Sequence, residues 1–161
     1  MCIVNNRQAR EVGIIVENRT TDLQKNTSHK RHQVDIDGAL GFENDAMLAR
    51  YVRDQGVTDS HAKLLFLEIK KFLILSAMLD QELSPSEEQD KMWHHFIIHT
   101  MDYASFCEKY LGRFIHHLPC TGTRPDHACE TKEAARKLFG EINEELWPKP
   151  SGAARCCKPY C

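Results

Sequence analysis

The run DSHAKLLFLEIKKFLILSAML, from Asp59 to Leu79, constrains the fold more than any other part of the chain. Leu64, Leu65, Leu67, Phe72, Leu75 and Leu79 make a wide apolar face at helical spacing, and Thr58 or Asp59 can cap its start. The uninterrupted apolar part, FLILSAML at Phe72 to Leu79, is about half of what a membrane span needs and sits among charges. No transmembrane segment is expected. Such a helix must instead be covered by other helices, which makes it the central core element.

The neighbouring text supplies the cover. Met47, Leu48, Tyr51 and Val52 recur at helical spacing in ENDAMLARYVRDQG, and Gly56 supplies a stop. Pro85 forbids continuous helix through DQELSPSEEQD, while Ser84 or Ser86 followed by glutamates opens a third helix. This helix is expected to bend near Thr100 to Asp102 and to end at Gly112, with RFIHHLP extended after it. TKEAARKLFGEINEELW reads as a fourth amphipathic helix using Ala134, Ala135, Leu138, Phe139, Ile142 and Leu146. No strand signal or internal repeat is present. The expected fold class is all-α: a small helical bundle of about four helices, with an irregular N-terminal arm over 1–41, a helical His/Cys domain over 42–147 and a disordered Cys-rich tail over 148–161.

The chain's 161 residues suit one domain with tails. Its 21 basic and 23 acidic residues are mixed, without the polybasic stripe that neutralises nucleic-acid phosphates. Nucleic acid is therefore not an expected partner. The N-terminus lacks the basic start, apolar stretch and cleavage site of a secretion signal, which predicts a cytoplasmic protein. In that reducing setting the cysteines, at 2, 107, 120, 129, 156, 157 and 161, are expected to be free, metal-bound or redox-active rather than a disulfide framework. CCKPYC, with Cys156, Cys157 and Cys161, reads as incidental thiols on an unstructured tail.

The chemistry concentrates in DKMWHHFIIHTMDYASFCEKYLGRFIHHLPC, which carries five of nine histidines and two of seven cysteines. On a helical wheel, Met92, Phe96, Thr100, Trp93 and Ile97 form the core arc. Asp90 and His94 fall beyond one edge, about 40° apart, and His95 and His99 beyond the other. The two histidine sets cannot serve one small site. HFIIH has the spacing of two zinc ligands, but Phe96 stands where a zinc protease carries its glutamate base, so His95 and His99 read as partly exposed shoulder residues. Asp90 can ligate beside His94 or orient its ring. Cys107 can turn towards the same point, and only one of His116 and His117, on opposite sides of an extended segment, can join it. Such a set has N, O and S donors that zinc, iron or copper accept. The competing reading is a buried hydrogen-bonded network without metal. A Cys107 nucleophile is disfavoured by its apolar helix face.

Asp90, Trp93, His94, Tyr103, Gly112 and His117 resemble the signature of the glycine-rich domain-containing protein-like family of plants and fungi. A fuller pattern, D-x-x-W-H-x-F-I-x-x-T-x-x-Y-x-x-F-C-x-x-x-x-G-x-F-I-H-H-x-P, looks like that of small bacterial proteins and runs from Asp90 to Pro119, with weaker similarity at Gly41 to Leu48. The resemblance singles out Asp90, Trp93, His94, Cys107, His116 and His117, and leaves His95 and His99 open. It implies no defined reaction, the plant relatives being associated with development and stress. Phe96 departs from the plant and fungal W-H-x-H; were that second histidine a ligand there, Cys107 or His116 would have to replace it here.

The expectation is a helical domain binding one transition metal, zinc or iron, through His94 and His117 with Cys107, Asp90 and His116 as companions, and with Trp93 and Phe114 walling the site. An open metal would make it an enzyme on a small molecule or peptide; a closed one, or none, a structural or protein-interaction module.

Overall fold

In the computed structural model, which describes residues 33–79, 81–117 and 127–149, every regular element is helical. Six α-helices follow one another: α1 (Ile36–Gly41), α2 (Asp45–Gln55), α3 (Asp59–Met78), α4 (Glu87–Ile98), α5 (Thr100–Phe106) and α6 (Ala128–Phe139); a π-helical turn, Cys107–Leu111, continues α5. The all-α expectation holds. The tail cysteines, the loop before α6 and most of the N-terminal arm lie outside the described residues. No helix among those described is long and apolar enough to cross a membrane.

Local signals start and stop the helices. The side chains of Asn44, Thr58 and Ser86 each accept a backbone N–H of the first turn of α2, α3 and α4, and Gln89 closes a capping box with Ser86. Gly56 and Gly112 end α2 and the π turn at φ of 66° and 69°, left-handed backbone that glycine adopts without a Cβ penalty.

Helix α3 is the axis, packed by α1, α2, α4 and α6. Its C-terminal half is buried nearly all round, including Ile69, Phe72, Leu73, Ile74 and Leu75, whereas Leu64 stays at the surface. Two charged residues are buried with them. Glu68 accepts from Trp147 Nε1 at 2.5 Å and from Lys71 Nζ at 2.9 Å. Lys70 donates to the carbonyls of Leu40 and Phe42 at 2.5 and 2.7 Å, which fastens the end of α1 to the core.

Three elements differ from the sequence reading. First, α1 lies in the stretch read as an irregular arm; Asp35 caps it, Ala39 is buried, and a Cβ at Gly38 would stand 2.7 Å from the Tyr110 ring, so close packing against the π turn holds a helix too short to signal itself by periodicity. Second, the helix through the histidine-rich segment breaks at His99, whose φ of -84° and ψ of 62° leave the helix, and Thr100 is exposed rather than in the core arc. Third, α6 starts at Ala128 and stops at Gly140, so Ile142 and Leu146 belong to a returning loop. That loop buries Leu146 and Trp147 against α3 and α4, with Ser86 Oγ donating to the Leu146 carbonyl at 2.7 Å. Cys129, in α6, is disulfide-bonded, against the expectation of free, metal-bound or redox-active thiols.

Candidate metal centre

Asp90, in the first turn of α4, and His94 set the site. Asp90 and His94 stand one helical turn apart, so their side chains meet on the surface of α4 facing the strap, residues 113–117. Gly112 turns the chain out of the π turn, and the strap runs back along α5 and α4 with Ile115 buried. Alternation along extended backbone then points His117 inwards and leaves His116 exposed.

Asp90 joins the two imidazoles. His117 Nε2 lies 2.8 Å from Asp90 Oδ1, and His94 Nδ1 lies 3.2 Å from Asp90 Oδ2 and 2.9 Å from the Asp90 carbonyl. The rings of His94 and His117 approach to 3.9 Å between centroids, and Trp93 meets His117 edge-on at 4.6 Å. Ligand atoms of Asp90, His94 and His117 all lie within 4.8 Å of one another. Burial is graded: the His117 side chain is 11% exposed, Asp90 36% and His94 57%. Burial pushes the His117 pKa down, with the Asp90 hydrogen bond opposing it. A neutral imidazole is the form that ligates metals.

The two contacts end on different oxygens of Asp90, His117 Nε2 on Oδ1 and His94 Nδ1 on Oδ2, so the carboxylate stands between the imidazoles. Imidazole nitrogen and carboxylate oxygen are donors that a divalent transition metal accepts. His94 Nδ1 faces two acceptors and so carries a proton in the neutral ring, which leaves Nε2 as an alternative ligand atom with Asp90 behind it as orienter.

The structure brings Asp90, His94 and His117 together and leaves out Cys107 and His116. Cys107 is fully buried beside Tyr103, in hydrogen-bonding contact with Tyr103 and the Ile115 backbone, and burial raises its pKa. It is a protonated core thiol. Phe114 does not wall the site either: it packs on Tyr103 and His116 and is 45% exposed, so Trp93 alone of that pair touches a site residue. His95 also departs from expectation, being 8% exposed, with Nε2 at 3.2 Å from the Met47 carbonyl. Its ring lies 5.3 Å from that of His99, whose Nε2 is buried without a hydrogen-bond partner. Neither belongs to the Asp90 cluster.

Sequence reasoning passed over Tyr103 as a site-building residue, and the one signal that marked it was its place in the quoted pattern. The phenol is buried, accepts from Trp93 Nε1 at 3.0 Å and donates to the Ile115 carbonyl at 2.6 Å, linking α4, α5 and the strap.

The family model UCP032817-like matches residues 42–144. The chain belongs to this family. The matched span contains Asp90, His94, Tyr103 and His117, so the UCP032817-like unit includes the whole candidate centre together with α2 to α6. No curated protein and no solved structure matches the chain.

Proposed function

We propose that this UCP032817-like domain binds one divalent transition metal, zinc or iron, through Asp90, His94 and His117. The observation that carries this reading is the convergence of three ligand atoms within 4.8 Å of one another on a buried-to-exposed gradient. Two histidines and one carboxylate leave positions for water or substrate, the pattern of catalytic rather than structural ions, and the exposed His94 side is where a small molecule or peptide would enter. On this reading the domain is a metal-dependent enzyme. His117 and Trp93 hold the inner wall, and Asp90 ligates or orients.

A second reading, a metal-free network that only ties the strap to α4, draws on the direct 2.8 Å contact between His117 and Asp90. Cobalt(II) substitution separates them. The metalloenzyme reading expects a visible cobalt spectrum that shifts when azide is added, because an open position exchanges its ligand. A cobalt spectrum indifferent to azide would favour a closed structural ion, and no cobalt spectrum at all would favour the network.

A further inference from the structure

We infer that Tyr103 is the positioning residue of the metal centre: its hydroxyl places His117 by holding Ile115 from the core side. This inference rests on the metal-binding reading and names the part of the fold on which affinity depends.

His117 sits on residues without regular structure, so its position depends on the anchors of the strap. Arg113 donates to the Ser76 carbonyl at the end of α3. Two residues further on, Ile115 is held through its backbone carbonyl, which accepts from Tyr103 Oη at 2.6 Å. The same Tyr103 hydroxyl accepts from Trp93 Nε1, and the Trp93 ring edge lies against His117. One buried hydroxyl thus fixes the residue two before His117 and the ring beside it. Tyr103 itself cannot shift easily, since its ring packs edge-on against Phe96 and Phe114.

Outer groups that orient ligands typically change metal affinity by 10- to 100-fold on removal. In full-length, tag-free protein, zinc affinity measured by competition with a chromophoric chelator is expected to fall by about 10- to 100-fold in Tyr103→Phe, which retains the ring packing. Zinc affinity in Tyr103→Phe within about twofold of wild type, with binding lost in His94→Ala, would overturn the inference while leaving the metal reading standing. If wild type takes up no zinc, the metal reading fails, and the nuclear Overhauser contact between the Trp93 and His117 rings decides the positioning role: its loss in Tyr103→Phe supports the role and its retention overturns it. Where Tyr103→Phe does not fold, Trp93→Phe serves, since it removes the hydrogen bond that the same hydroxyl accepts. Weaker zinc binding in it is the expected result, and affinity within about twofold of wild type overturns the inference.

Discussion

Lys70 offers a prediction whose size and sign follow from two opposing effects. Its ammonium group is buried, donates to the Leu40 and Phe42 carbonyls and lies 5.0 Å over the Phe66 ring. Burial lowers its pKa from 10.5 to about 8, which corresponds to about 3 kcal/mol against the charged form. Two hydrogen bonds from a charged donor return roughly 3 to 6 kcal/mol, so the residue is near neutral or modestly stabilising as it stands. Truncation is another matter, because Lys70→Met leaves two partly buried carbonyls without a donor. That variant is expected to lose about 2 kcal/mol in urea unfolding at pH 7, with hydrogen exchange accelerated over α1. The pH dependence checks the same argument. Above pH 8 the folded protein releases the Lys70 proton while the unfolded chain keeps it until about 10.5, so stability attributable to Lys70 rises with pH in that window. The gap between wild type and Lys70→Met should therefore widen by about 2 kcal/mol from pH 7 to 9.5. A gap that narrows or stays level with pH would refute the reasoning, as would a Lys70→Met protein as stable as wild type at both.

Trp147→Phe keeps most of a fully buried ring but removes the donor to Glu68, and is expected to cost about 1.5 to 3 kcal/mol in urea unfolding, mostly from the buried carboxylate left short of a partner. His95 has a folded pKa below 6.5, chiefly because burial disfavours its charged form, so the unfolded chain protonates first; its contribution is present above pH 6.5 and is lost as pH falls through the folded value. Urea midpoints should drop from pH 7.5 to 5.5, and less steeply in His95→Leu. Gly112→Ala forces a Cβ into left-handed backbone at φ 69°, with an expected cost of about 1 kcal/mol in the same assay.

Much of this architecture is legible in the sequence. The apolar face of α3, the serine and threonine caps and the stops at Gly56 and Gly112 are local signals, and local signals carry helices. What escaped was decided by contacts distant in sequence. Glu68 and Lys70 look like solvated charges on an amphipathic helix, yet Trp147 and the end of α1 cover them. The phase of Phe139, Ile142 and Leu146 reads as one continuous helix, but Gly140 ends it and burial of the loop reproduces the same apolar pattern. At the centre, the pairing of Asp90 with His94 followed from helical spacing. The choice of His117 over His116 needed the strap's anchoring, and Cys107 resembled a ligand because spacing shows which residues can approach a point, not which are held back by a π turn and a buried phenol.

The central claim is that Asp90, His94 and His117 hold a metal ion, and elemental analysis of protein purified without an affinity tag tests it most directly. The expected result is about one zinc or iron per chain, lost in His94→Ala and in His117→Ala and retained in His116→Ala. Less than roughly 0.2 metal per chain in the wild-type protein, or full occupancy in His117→Ala, would contradict it.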